Sequence, residues 1–292
     1  MRRNWKAVLV LLASVSLLFA ACGDSKEDKD ILTPNAPALP QKIKDAGEIV
    51  IGSDIEYPPM ESFDESTQKP VGFDIDFGNA LAKELGVKAK FVNDTNFDAI
   101  LLAMNAGRYD IIISSMTDNA KRQESADFLD YYSAGTSMIV QKGNPKKIAK
   151  LEDLCGNTIA VQKGTVQDLE TITPLEATCS TANKKLNVLR LEKDVDALQQ
   201  VKVGRAVANL EDTPVAGYNA KTSGGGNDFE VIPGAIGEGP IGIAMPKNSD
   251  ALKALLQQAL TKLIDNGTYT KLIKKWGLEA GAVKVARFNG GT

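Results

Sequence analysis

From Glu48 onward, apolar runs of four to six residues alternate with stretches whose apolar positions recur at helical spacing. Residues 48–52 predict a first strand that ends at Ser53 and Asp54. Residues 71–73 lead into a helix over 74–85, with Ile75, Phe77, Leu81 and Leu85 on one face and Gly86 as its stop. A strand over 88–92, a helix over 97–106 closed by Gly107, and a strand over 109–113 follow. The pattern restarts after residues 137–141. It predicts strands at 158–161, 187–191 and 206–210, a helix opened by Gly164-Thr165, and another over 195–203. Residues 223–228 read as a loop and 241–245 as a strand, before two helices over 249–266 and 268–276 broken at Asn266-Gly267. Such βαβ alternation argues for parallel sheets covered by helices. The mid-chain restart argues for two α/β lobes with more than one crossing between them. Ligands of such sheets sit at the carboxyl ends of strands, where Asp54, Ser114, Gly164 and Asp212 all fall.

The N-terminus departs from this pattern. Arg2, Arg3 and Lys6 precede an apolar stretch over 7–21, which predicts a secretory signal peptide at 1–21, too short and wrongly flanked for a spanning helix. The small residues before Cys22 resemble a lipobox, so Cys22 is expected to carry lipid, with secretion after Ala21 as the alternative because Phe19 departs from the usual aliphatic residue. Residues 22–41 are acidic and then proline-rich, the composition of a flexible tether. Loss of residues 1–21 leaves 31 basic against 37 acidic side chains, a net charge of −6, which argues against nucleic acid as a partner. In an oxidising compartment Cys155 and Cys179 are expected to pair, two buried free thiols being the alternative. The chain has no histidine, so His-based metal sites and the commonest general acid/base are absent; no metal or cofactor is expected.

Candidate chemistry gathers after the strand over 110–113, where Ser114, Ser115 and Thr117 are followed by Arg122. Hydroxyls and a planar five-donor guanidinium suit a carboxylate, although Arg122 with Lys121 and Glu124 can also be read as a solvated helix face. Residues 204–212 repeat the plan and end at Asp212, so an arginine and an aspartate facing each other would hold a zwitterion. Gly164-Thr165 opens a helix whose N–H groups favour an anion, or simply caps it. Tyr57 and Phe97 lie just past strand ends, where aromatics either pack or face a ligand. Asp54, Glu61 and Asp74 add acids nearby, with a helix N-cap as the alternative for Asp74.

Taken together, the segments 52–61, 72–76, 96–98, 110–122, 162–165, 204–212 and 266–276 resemble the family 3 extracellular solute-binding proteins of polar amino acid ABC importers, above all the lysine/arginine/ornithine-, histidine- and glutamine-binding proteins. The likeness covers residues 43–278. It implies a two-lobe periplasmic-binding-protein type II fold, each lobe a mostly parallel sheet flanked by helices, joined by two hinge strands near 133–137 and 237–241. Lobe 1 would be 42–134 plus 238–292, and lobe 2 would be 135–237. By the same resemblance Arg122 grips the ligand α-carboxylate with the backbone N–H groups of Thr117 and Val166 beside the Thr165 turn. Asp212 takes the α-ammonium, with the Thr117 hydroxyl and the Ser114 carbonyl. Tyr57 and Phe97 would sandwich the side chain, and Asp54, Glu61, Asp74, Ser115 and Gln162 would surround its end. Val166 stands where many relatives carry a hydroxyl residue, which leaves only its backbone contact. The implied protein is a monomeric lipoprotein outside the cytoplasm, held on a membrane by its lipid, that hands a cationic or amide amino acid to importer membrane subunits. A cyclohexadienyl dehydratase-like enzyme and a ligand-sensing surface lipoprotein are the rival readings.

Overall fold

Two faces of each sheet must be covered when strands run parallel, and the amphipathic helices do the covering. The structure, a computed structural model, describes residues 37–292. The expected signal peptide, the lipid site at Cys22 and the tether as far as residue 36 lie outside the described residues. In chain order the first elements are α1 (Gln41–Ala46), β1 (Glu48–Ser53), the hairpin β2 (Ser62–Phe63) and β3 (Pro70–Val71), α2 (Phe73–Glu84) and β4 (Lys88–Asn93). Next come α3 (Ile100–Asn105), β5 (Ile111–Ile112), α4 (Ala120–Gln123) and β6 (Ala126–Gln141). Then follow β7 (Thr158–Gln162), α5 (Thr173–Thr181), β8 (Asn187–Leu191), α6 (Asp194–Lys202), β9 (Ala208–Asp212), α7 (Thr213–Thr222) and β10 (Phe229–Val231). The chain continues through β11 (Ile236–Pro246), α8 (Asp250–Asp265), α9 (Thr268–Trp276) and β12 (Ala282–Phe288).

The strand order β4-β1-β5-β11-β6-β9-β7-β8 describes two lobes sharing two long strands. In the first, β1 pairs in parallel with β4 and β5; in the second, β7 pairs in parallel with β8 and β9. Antiparallel β6 and β11 run through both, with Ala134 opposite Gly239, Thr136 opposite Ile236, and a register shift between. These are the crossings expected from the sequence. Of the expected strands, 109–113 shortens to Ile111–Ile112 because the chain turns at Ser114, and the hinge strand near 133–137 proves to be the middle of the long Ala126–Gln141. Residues 206–210 shift forward, so β9 ends on Asp212 itself.

The first lobe's core packs Phe73, Phe77, Tyr131 and Tyr269 with Leu256 and Leu260, the Phe77 and Tyr131 rings stacking 4.8 Å apart. The opposite face of that sheet holds Ile100, Met104, Tyr109 and Phe128. In the second lobe Met138, Ile159, Val161, Ile172 and Leu210 surround Cys179. Cys155 and Cys179 lie at disulfide distance, Cα to Cα 5.2 Å, across a sequence separation of 24. Replacing both with serine is expected to lower unfolding stability by about 3 kcal/mol, on the loop-entropy argument, in urea titrations monitored by circular dichroism. An unchanged midpoint would show that the pair does not staple the second lobe.

Candidate functional site

The first wall is built where β1 and β5 end. The Asp54 backbone N–H donates to Ser114 Oγ at 2.9 Å, and that hydroxyl donates to Glu61 Oε1 at 2.9 Å. Ser115 adopts φ +43°, a left-handed conformation that costs a residue with a Cβ. Asp74 holds it there, accepting from the Ser115 N–H at 2.8 Å and from the Tyr131 hydroxyl at 2.8 and 2.9 Å. Four residues after Ser115, Asn119 caps the short helix α4 by accepting from the Arg122 N–H at 2.8 Å. The Arg122 guanidinium donates to the Thr117 carbonyl at 2.7 Å and stands over the Phe97 ring at 5.4 Å.

The second wall comes from the ends of β7 and β9. Thr165 accepts from the Asp168 N–H at 3.2 Å and donates to the Gln162 carbonyl at 2.8 Å, so its hydroxyl is spent on starting the helix. That helix begins as a six-residue π-turn, Gln167–Ile172, before α5. Its first residue, Gln167, donates to Asp212 Oδ1 at 2.8 Å. Gly164 (φ +77°) lies so close to Asp98 that an added Cβ would sit 2.7 Å from the Asp98 Cα. Only glycine lets the walls meet here.

Contacts between the walls are numerous and polar. Arg122 donates to the Gly164 carbonyl at 3.1 Å, Gln162 to Asp54 Oδ2 at 2.6 Å, and the Asp212 N–H to the Tyr57 hydroxyl at 2.7 Å. Asn119 donates to Glu170, while Lys193 pairs with Glu56 at 2.7 Å and Lys163 with Asp98 at 3.0 Å. The lobes are closed on each other.

Between them lies a small cavity lined by Asp54, Tyr57, Glu61, Phe97, Ser114, Ser115, Thr117, Arg122, Gln162, Thr165, Val166, Gln167 and Asp212. The structure thus brings every expected ligand-site position except Asp74 to this one cavity. That residue is fully buried behind Ser115 and Glu61, and it neither lines the cavity nor caps α2, whose N-cap is Gly72. Its carboxylate is committed to the backbone that shapes the wall. Gln167 is the lining residue that sequence reasoning missed; the polar residue directly after Val166 was its only signal.

The cavity is electrostatically lopsided, with one guanidinium and the carboxyls of Asp54, Glu61 and Asp212. Burial raises Asp54 to about 6, against the Gln162 hydrogen bond, and raises Asp212 to about 7, against Gln167 and Arg122. Glu61 is pushed well above the ordinary carboxyl range by burial and then by Asp74, which burial itself raises to about 6. Behind Asp212, burial lifts Asp194 to about 7 and Glu211 well up, the two sharing the Asn209 amide. Burial lowers Arg122 to about 10. Among the described residues, Asp54 Oδ1, Glu61 Oε2 and the Ser115 hydroxyl are buried with no hydrogen-bond partner. Unsatisfied acceptors beside like charges favour a cationic donor there.

Residues 49–279 match the family model for bacterial extracellular solute-binding proteins, family 3. The chain is 30% identical to the arginine-binding protein ArgT of Corynebacterium glutamicum, over 97% of this chain and 95% of that protein. It is 30% identical to the arginine-binding extracellular protein ArtP of Bacillus subtilis, over 94% and 98%. Among solved structures, the ancestral amino acid-binding protein AncCDT-1, a precursor of cyclohexadienyl dehydratase, superposes with a TM-score of 0.72 at 34% identity, covering 81% of this chain and 98% of that one. On the extent of the family match and the similarity to these relatives, the chain belongs to the bacterial extracellular solute-binding proteins, family 3.

Proposed function

We propose that this protein captures a cationic L-amino acid, arginine in the first instance, between its lobes and presents it to the membrane subunits of an ABC importer. The observation that carries the choice of ligand is the excess of buried carboxyls over cations in the cavity. Arg122 is matched to an α-carboxylate and Asp212 to an α-ammonium. Asp54 and Glu61 then remain, each with a buried oxygen that lacks a partner, beside Ser115 Oγ. A guanidinium supplies five donors in one plane and meets such a cluster better than the point charge of lysine. The names of ArgT and ArtP support the same choice. Capture follows from closure. The hinge strands β6 and β11 let lobe 2 (135–237) rotate onto lobe 1 (42–134 plus 238–292), and the bound ligand stabilises the closed form by touching both. In this reading the mature protein is a monomer held at the membrane by lipid on Cys22.

Isothermal titration with L-arginine, L-lysine, L-glutamine and L-glutamate tests the ligand class. Arginine is expected to bind about tenfold or more tighter than glutamine, and glutamate not to saturate, since its carboxylate would meet the negative charge of Asp54 and find no cation beside it. Preference for glutamate would overturn the assignment. Capture without chemistry further requires that arginine be recovered intact and that prephenate and arogenate not be turned over.

A further inference from the structure

The segment that follows β12 reaches back to the turn that carries Arg122. Asn289 exchanges backbone and side-chain hydrogen bonds with Phe128, its N–H donating to the Phe128 carbonyl at 3.0 Å and its Oδ1 accepting from the Phe128 N–H at 2.8 Å. The Gly290 N–H then donates to Asp130 Oδ2 at 3.1 Å, and the Gly291 N–H to Asp118 Oδ2 at 2.9 Å. Gln123 closes the ring, donating from one amide to Asp118 Oδ1 at 2.8 Å and to the Gly291 carbonyl at 3.0 Å. Asp118 and Gln123 stand on either side of Arg122, at the two ends of the turn that begins after Thr117. One residue, Gly291, is therefore bonded through its N–H and its carbonyl to both ends of the segment holding the guanidinium.

The approach is close enough to demand glycine. A Cβ on Gly291 would collide with the Asp118 carbonyl and crowd the Asn119 nitrogen, both of them backbone atoms that have no rotamer by which to yield. Asp118 is 2% exposed, so its carboxylate is satisfied by this segment and Gln123. On its other side the turn is held by β11, through the Asp118 N–H to the Pro240 carbonyl at 2.8 Å and the Thr117–Ile241 bridge. α4 itself is only four residues long and cannot stand alone as a helix. Within the first lobe its placement leans on these two supports and on the Asn105 amide, which donates to the Ser125 carbonyl at 3.1 Å.

We infer that Asn289–Gly291 is a positioning latch that sets the Arg122 turn for ligand capture, with Asp118 and Gln123 as its receptors. Its effect on affinity rests on the proposed role of Arg122; its effect on the turn does not. An arginine held in advance loses less freedom on binding, so loosening the turn weakens capture without removing any group that faces the ligand.

Two variants test this, Gly291→Val, which expels the segment, and Gln123→Ala, which removes the bridging amide without crowding. Amide hydrogen exchange over residues 117–125 is expected to rise about tenfold in each, as befits one or two lost hydrogen bonds, while β4 and α8 keep wild-type exchange. Affinity for L-arginine should fall by about the same factor. Unchanged exchange over 117–125 in Gln123→Ala, or a rise spread evenly through the lobe, would overturn the latch. So would locally faster exchange with unchanged affinity, provided Arg122→Ala abolishes binding. If Arg122→Ala binds arginine normally, the carboxylate reading fails instead, and the exchange pattern alone decides whether the segment fixes the turn.

Discussion

Arg122→Ala is expected to reduce affinity for the amino acid by about a thousandfold, to no measurable heat in titration calorimetry, in a protein that remains folded. The magnitude follows from what the side chain does. Removing one partner of a buried, hydrogen-bonded charge pair costs about 3–5 kcal/mol, because the ligand carboxylate is left in the closed cavity without a counter-charge. The fold should not suffer comparably. Arg122 makes two hydrogen bonds to backbone carbonyls and one ring contact, and against these stands the burial that lowers its proton affinity to about 10. With the two effects opposed, the melting temperature without ligand is expected to move by roughly 3 °C or less. Arg122→Lys should recover part of the affinity, since it restores the charge but not the fork that engages two oxygens at once. Wild-type affinity in the alanine variant would exclude the zwitterion grip.

Much of this architecture was legible because strand-end chemistry and apolar runs agree. Asp54, Ser114 and Asp212 fall at the carboxyl ends of β1, β5 and β9, where local sequence decides both the strand and the polar tip. The first half of β6 escapes the apolar pattern, and its hinge came only from the resemblance, because Asp127 and Asp130 interrupt the run. Both are buried and draw their partners from far away, Asp127 from Lys247 and Lys253 at 2.9 and 3.0 Å and Asp130, at Oδ2, from the Gly290 N–H. Their partners lie more than a hundred residues off, so no local window could mark them as strand. Asp74 misled for the same reason: it begins a helix in sequence, but its partners Ser115 and Tyr131 are 41 and 57 residues away. Gln167 escaped because a regular helix was assumed after Thr165. The wider π-turn breaks the 3.6-residue count on which facing residues are assigned. β12 and the segment after it were not recognised, since Lys284 and Arg287 are mixed with its apolar residues and its pairing partner β6 was itself only half visible.

Acidification should release the ligand. Between about pH 8 and about pH 5, affinity for L-arginine is expected to fall by about a hundredfold or more, most of it below pH 7. The carboxyls concerned are Asp212, raised to about 7, and Asp54, raised to about 6, with burial the first cause in each case. A ligand ammonium at Asp212 and a guanidinium at Asp54 would each favour the ionised carboxylate and lower its pKa. Binding therefore expels protons wherever the free protein holds them, and affinity must fall as the proton concentration rises. Stability without ligand carries the opposite sign. A carboxyl whose folded pKa exceeds its ordinary 3.8 binds protons more tightly in the folded chain. Its contribution to stability is greatest below that ordinary value and is lost as pH rises through 6 to 7. Asp74 and Asp194, raised to about 6 and about 7 by burial, act in the same direction. The protein alone should therefore gain stability from these groups as pH falls from about 8 to about 5 while its grip on arginine weakens, a divergence that general acid unfolding cannot produce. Calorimetry in buffers of different ionisation enthalpy reads the released protons directly, with about one expected near pH 6. Asp212→Asn should bind weakly at every pH and flatten most of the profile. A wild-type affinity independent of pH across this range would show that these carboxyls do not meet the ligand's cations.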